Sequence, residues 1–264
     1  MASSSILPLR KNQCDNFEGR IDCATTMQHL PEGWKPSYVA IDIDGTITDE
    51  KKLLDGEAIE ALRKLEQSGI PVILSTGNVR AIAYGLWRFI GLSGPMCCEN
   101  GGVLWDESWQ QPLVRADPTE AKKAAEWLAS QIDGLDPNGI ETNQWRESEW
   151  CLRADEPYEL ICELLKNSQF AHLSTVRTGF AIHLMDGVLS KGQGLKVLFQ
   201  LLSIDPAEVL AIGDAPNDIS MFELCGHSIA VSSEFDEVVD AAKTVSHHQR
   251  SKAIAPIVDE ILKA

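Results

Sequence analysis

Three carboxylates cluster in VAIDIDGTITDE, residues 39–50: Asp42 and Asp44 flank Ile43, and Asp49 follows. The apolar run ahead of them reads as a buried strand, so the first pair sits where hydration is lost and like charges repel. Such a pair suits phosphoryl transfer. One carboxylate attacks phosphorus to form an aspartyl phosphate, and the other protonates the leaving oxygen and then activates water. A dianionic phosphate does not approach carboxylates unaided, since unit charges about 4 Å apart interact by roughly 4 kcal/mol at an effective dielectric of 20. A cation has to reverse that sign. GDAPND supplies further oxygen donors, Asp214, Asn217 and Asp218. Hard oxygen ligands suit Mg2+ rather than zinc. Thr76 offers a hydroxyl donor to phosphate, and Lys191 a charge to neutralise the phosphoryl oxygens.

Each piece alone has a plainer reading. Asp44-Gly45-Thr46 is a turn with an Asx hydrogen bond, Thr76 a helix cap, Lys191 a solvated lysine, and Asn217-Asp218 a helix N-terminus. Their order along the chain, at the ends of successive strands, favours the joint chemical reading, because open parallel sheets bind ligands beyond the carboxyl ends of their strands.

The surrounding elements are those such a sheet needs. DGEAIEALRKLEQSG reads as a helix with Ala58, Ile59, Leu62 and Leu65 on one face and Gly69 as its stop. IPVILSTGN is a strand, VRAIAYGLWRFIG a second helix, and PMCCENGGVLW a strand and turn. This alternation predicts a parallel sheet with covering helices. The middle changes character. ADPTEAKKAAEWLASQI carries a capping box of Asp117 and Glu120 with Pro118 at the first helical position, and STVRTGFAIHLM reads as a hairpin. From LSKGQGLKVLFQLLS onward the strand–helix alternation returns. The expected architecture is α/β: a Rossmann-like three-layer core over 36–116 and 186–264, an α+β cap over 117–185, and an N-terminal tail over 1–35, with Met27 an alternative start.

Bulk properties narrow the partners. The 264 residues carry a formal net charge of −16, which argues against nucleic acid and anionic membranes. No segment approaches the roughly 18 apolar residues of a membrane span, and the N-terminus lacks a signal-peptide core. Seven cysteines without CxxC spacing point to a reducing compartment, hence the cytoplasm, with Cys97-Cys98 read as small buried hydrophobes. Tryptophans 105, 109, 127, 145 and 150 fall in or near the middle segment and form either its core or the surface of a homodimer.

DIDGTITD, LSTGN, Lys191 in LSKGQGL and GDAPNDISM resemble, in order, the four motifs of the haloacid dehalogenase-like phosphatases, over nearly everything after residue 36. The resemblance implies Asp42 as nucleophile, Asp44 as general acid and base, and Thr76 and Gly77 against the phosphate. Mg2+ would be held by Asp42, the main-chain carbonyl of Asp44, and Asp214. Asp218 would be a further ligand or the partner that orients Lys191. CENGG at 98–102 resembles the subgroup with an α/β (C2-type) cap. TNQWRES at 142–148 and IHLMDG resemble archaeal phosphoglycolate phosphatases. The carboxylate of 2-phosphoglycolate then needs a cation from the cap. Arg146 is the expected reader, with Asn143 and Trp145 shaping the pocket and Arg177 a second candidate. Sugar-phosphate phosphatases and phosphomutases share these motifs. A phospho-accepting receiver module is the alternative from another class, but it lacks the second carboxylate and a cap. His183, alternating with apolar neighbours, reads as a packed strand residue, and His247-His248 as exposed.

Overall fold

The computed structural model describes residues 28–264; residues 1–27, including most of the expected tail and Met27, lie outside the described residues. Residues 28–35 are not tail-like. Leu30 joins the core, and the backbone N–H groups of His29 and Leu30 donate to the Glu260 carboxylate near the C-terminus at 3.0 and 2.8 Å. A buried leucine and a carboxylate clamp anchor this segment to the core.

The first strand, β1 (Tyr38–Ile41), shows how the layers arise. Val39 and Ile41 face one hydrophobic cluster and Ala40 the other, as alternation across a strand requires. Then come α1 (Gly56–Gln67), β2 (Val72–Ser75), α2 (Arg80–Ile90) and β3 (Met96–Cys98). Asp55 caps α1 by accepting from Glu57 N at 2.9 Å, and α2 stops at Gly91 in the left-handed region, φ 89°. Strands β4 (Val103–Trp105) and β5 (Leu113–Val114) then fold back antiparallel. β5 was not foreseen, since two exposed residues carry no pattern.

The chain leaves the sheet for α3 (Thr119–Gln131), β6 (Glu149–Arg153), α4 (Tyr158–Lys166), β7 (Leu173–Arg177) and β8 (Ala181–Asp186). These three strands form a separate antiparallel sheet ordered β6-β8-β7. Leu152, Ile182 and Leu184 pack under α3 and α4, while Glu149, Cys151 and His183 alternate onto the opposite face, toward the main sheet. The capping box of α3 is half-formed: Asp117 accepts from Thr119 N at 2.8 Å, but Glu120 pairs with Lys123 instead of reaching back.

The chain returns with α5 (Lys191–Leu202), β9 (Val209–Gly213), α6 (Ile219–Leu224), β10 (His227–Ala230), α7 (Asp236–Ala241), β11 (Thr244–Val245) and α8 (Ile254–Lys263). The main sheet runs β11-β10-β9-β1-β2-β3-β4-β5, parallel from β11 to β3. α1, α2 and α8 cover one face and α5, α6 and α7 the other. The result is a three-layer α/β core. β1 lies between β2 and β9, and the order reverses at this point, so a crevice opens beyond its carboxyl end. No helix among the described residues is long and apolar enough to cross a membrane.

Candidate active site

Asp42 follows β1 directly, and Asp214 follows its neighbour β9, so the sheet brings two carboxylates together across 172 positions of sequence. Gly45 makes the turn after Asp44 possible and lets it pass close to Asp214. Its φ is +86°, and a Cβ there would lie 2.1 Å from Asp214 Oδ2. Thr46 Oγ1 donates to Asp214 Oδ1 at 3.0 Å. Ser190 caps α5 and sets Lys191 at its first position, fully buried. Lys191 Nζ donates to Asp42 Oδ1 and to Asp218 Oδ1, each at 2.6 Å. The second oxygen of Asp218 accepts from the backbone N–H groups of Asp214 and Ala215 at 2.9 and 3.0 Å. With both oxygens engaged, Asp218 sits as the anchor of Lys191 and of the loop after β9. Asp42 Oδ2 has no partner among the described residues. Asp44 receives a hydrogen bond from Asn78 Nδ2.

The electrostatics are those of a site short of positive charge. Burial pushes Asp42 well above the usual carboxylate range; Lys191 opposes this, and Asp218, Asp214 and Asp44 add to it. Burial raises Asp44 as well, against the Asn78 hydrogen bond. Burial and then Asp218 push Asp214 up to about 7. Burial alone would lower Lys191, yet Asp218 and Asp42 together raise it, so it stays charged. Four carboxylates stand against one buried lysine. The carboxylates of Asp42, Asp214 and Asp218 converge closely enough to hold a cation, and the donors are all hard oxygens. The residues present therefore fit a divalent metal.

These groups open onto a cavity of about 90 Å3. Asp42, Asp44, Gly77, Asp214 and Asn217 line its core side, and the tip of the β7–β8 hairpin, Arg177 to Phe180, faces them. Lys52, Glu234, Phe235 and Arg250 complete the rim. Thr76 is buried just behind Gly77; its Oγ1 accepts from Asn78 N at 3.0 Å, leaving the hydroxyl hydrogen free to donate.

The other expected substrate residues do not reach the cavity. Arg146 is buried, donating Nη1 to the Gly77 carbonyl at 3.0 Å and to Glu149. Asn143 spends its amide on the backbone of Asn138 and Cys151 at 2.8 and 2.7 Å, and accepts from Cys151 N at 3.0 Å. Trp145 is half exposed and lies off the cavity wall. Trp105, Trp109, Trp127 and Trp150 pack against the hydrophobic clusters. The sequence reading missed Lys52, Asn78, Phe180, Phe235 and Arg250. Asn78 stood within LSTGN, but the others belong to no motif and lie on separate loops. His183 is buried on β8 as expected, though in a polar setting: Nδ1 lies 3.0 Å from Glu149 Oε1, and a Cβ on Gly77 would meet its Cε1 at 3.0 Å.

A family model described as haloacid dehalogenase-like hydrolase matches residues 39–145 and 136–258. Over 215 residues the chain is 38% identical to a phosphoglycolate phosphatase of Archaeoglobus fulgidus, covering 81% of this chain and 91% of that one. It is 36% identical to the phosphoglycolate phosphatase of Methanothermobacter thermautotrophicus, covering 83% and 96%. The crystal structure of Thermoplasma acidophilum protein 0175 superposes with a TM-score of 0.77 at 27% identity, covering 86% of this chain and 98% of that one. A subclass IIB sugar phosphatase shares the fold at 14% identity and a TM-score of 0.67, covering 86% and 99%. An ordered set of strand-end carboxylates, a buried lysine and a family match spanning most of the chain lead to one conclusion: the chain belongs to the haloacid dehalogenase-like hydrolases and is a phosphoric monoester hydrolase.

Proposed function

We propose that the protein is a Mg2+-dependent phosphatase that converts 2-phosphoglycolate to glycolate and phosphate through an aspartyl phosphate on Asp42. The observation that carries this reading is the asymmetry of the carboxylate pair. Asp42 has one oxygen fixed by Lys191 and the other unengaged, whereas Asp44 is held by Asn78 in a setting that favours its protonated form. Asp42 Oδ2 attacks phosphorus, the ester P–O bond breaks, and the Asp44 carboxyl gives its proton to the departing glycolate oxygen. Asp44, now ionised, takes a proton from water, whose oxygen attacks phosphorus and releases Asp42 and phosphate. Lys191 holds Asp42 in place and offsets phosphoryl charge, while Thr76 Oγ1 and the Gly77 backbone serve as phosphate donors. Asp42, the Asp44 carbonyl and Asp214 would hold Mg2+, with Asp218 positioning Lys191; bound there, the ion supplies charge neutralisation between phosphate and carboxylates.

Phosphoglycolate is supported by the relatives' names and by size: about 90 Å3 is well below the roughly 300–1,000 Å3 of pockets for larger ligands. The segment 117–185 then works as a cap, and the buried free cysteines suit a cytoplasmic setting. A second reading, a sugar-phosphate substrate, draws on an open groove of about 650 Å3 that shares Arg177, Thr178 and Phe235 with the cavity. Phosphate release from both substrate types, with Mg2+ and with a chelator, in wild type and Asp42→Asn, decides between them. Mg2+-dependent release from phosphoglycolate, lost in the variant, supports the proposal; release confined to sugar phosphates, or an isomeric ester as product, sinks it.

A further inference from the structure

We infer that Lys52, in the turn that follows β1, is the specificity-determining residue that binds the substrate's second anionic group, a carboxylate. This rests on the reading above, in which Asp44 protonates the departing oxygen. In 2-phosphoglycolate a single methylene separates that oxygen from the carboxylate, so the group that reads the carboxylate has to neighbour Asp44. It also has to line the cavity and carry positive charge. Lys52 meets all three conditions.

The local chain builds a fixed mount for it. Thr48 and Leu54 form an antiparallel bridge, Asp49 N donates to the Leu53 carbonyl at 2.9 Å, and Lys52 N donates to the Asp49 carbonyl at 2.9 Å. Asp49 Oδ1 accepts from Lys51 N and Leu53 N at 2.8 and 2.9 Å. This turn holds Lys52 at φ 61°, a left-handed conformation that glycine would adopt without strain. A strained side chain kept at a cavity rim points to a task that glycine could not perform. From there the side chain crosses to the tip of the β7–β8 hairpin, where Nζ donates to the Gly179 carbonyl, and both residues line the cavity. A neutral carbonyl takes one of the three ammonium hydrogens and none of the charge. Lys52 has no ion pair among the described residues. Burial raises Asp44, and after Asn78 and Lys191 it is Lys52 that opposes the rise, as its place beside the general acid requires.

The other cations serve elsewhere. Arg250, also left-handed at φ 53°, pairs with Glu234 at 3.0 Å. Lys191 lies beneath, between Asp42 and Asp218. Arg177 pairs with Ile182 in the smaller sheet, so both side chains turn to the face under α3 and α4. Arg146 keeps Nε and Nη2 without partners, but it is buried against the Gly77 carbonyl and lines no part of the cavity. A compact ammonium with two hydrogens to spare suits the short acid that the cavity admits.

The test compares kcat/KM on 2-phosphoglycolate with that on 2-hydroxyethyl phosphate, which keeps the chain length but replaces the carboxylate by a hydroxymethyl group. Wild type, Lys52→Gln, Lys52→Gly and Lys52→Arg are assayed with Mg2+. The ratio of the two constants is expected to fall by about 10- to 100-fold in Lys52→Gln and Lys52→Gly, mainly through KM for phosphoglycolate, with Lys52→Arg in between. Lys52→Gly should melt close to wild type, since glycine relieves the left-handed strain, and its lost ratio then reports the missing charge rather than a damaged fold. A wild type that prefers phosphoglycolate, with the ratio intact in the variants, overturns the role of Lys52 and leaves the substrate reading standing. That holds equally where both constants fall together, which would make Lys52 a latch on Gly179 and nothing more. A wild type that hydrolyses other phosphomonoesters without preferring phosphoglycolate overturns the substrate reading, and this inference with it.

Discussion

Two buried clusters of ionisable side chains lie on either side of Gly77, and each brings three potential metal-binding groups together: Asp42, Asp214 and Asp218 in one, Glu149, Cys151 and His183 in the other. Residue type does not separate them; charge balance and what faces them do. In the first, four carboxylates including Asp44 share one lysine, and the surplus looks into a cavity. In the second, Arg146 matches Glu149. Burial alone would raise Glu149, but His183 and Arg146 hold it below the usual range. Asn100 closes the rest by donating to Glu149 at 3.2 Å, and Asn217 donates to Asn100 at 3.0 Å. Burial pushes the Cys151 thiol well up, against Arg146. An unbalanced cluster is built to receive something; a balanced one fastens the smaller sheet onto the core.

Substitutions can break this contrast. The largest effect is expected from Asp42→Asn, a fall in phosphate release on the order of 10⁴-fold or more, against a far smaller loss for Glu149→Gln. Equal losses would erase the distinction. Next is cation binding. Calorimetric titration with Mg2+ should show binding to wild type and to Glu149→Gln, and none to Asp214→Asn, whose turnover should match that of chelator-treated wild type. Heat lost in Glu149→Gln instead would move the metal to the other cluster.

The balanced cluster should answer in stability. Arg146→Ala removes the permanent charge opposite buried Glu149, leaving it only His183 and Asn100, a cost of about 3–5 kcal/mol. That corresponds to a Tm lower by roughly 6–20 °C. Arg146→Met with Glu149→Leu should recover much of the loss in a thermal melt, since neither partner is then stranded. The smallest effect concerns Glu99, whose carboxylate accepts from Glu147 N at 3.1 Å and from Ser148 N and Oγ at 2.9 and 2.8 Å. Burial and then Glu149 push it up to about 7 from an ordinary 4.5. The folded state keeps this proton where the unfolded chain releases it, so its contribution falls as pH rises from 4.5 to 7 and is level above. Glu99→Gln should flatten urea midpoints across that window; a slope parallel to wild type would count against the assignment.

The unbalanced cluster was legible in the sequence because it is built from strand ends. An apolar run followed by D-x-D-G states both where the chain is buried and where it turns, and Ser190 one residue before Lys191 announces the helix that aims it. The arginines were not legible in the same way. Arg146 follows Trp145 and Arg177 follows Val176, and which one lies at the cavity depends on how a second sheet lies on the first. That packing is a long-range outcome with no local signature. The alternation of Glu149 and Cys151 with Trp150 and Leu152 holds a clue, since a strand with one polar and one apolar face must put its polar face against something. What that something was, Gly77 and Asn100, came only with the fold. Lys52 and Arg250 were equally hidden, on loops that neighbour the cavity from distant stretches of chain.

The connectivity has a consequence for the chain as it is made. Asp42 and the lysine that holds it are 149 residues apart. β1 can pair with β2 early, but its other neighbour, β9, is translated only after the whole smaller sheet. A nascent chain thus carries Asp42 and Asp44 for most of its synthesis with neither Lys191 nor Asp214 beside them, and with one edge of β1 bare. The ribosome must finish nearly the entire polypeptide before the site exists, so truncated products should be inert as well as prone to pairing through that open edge.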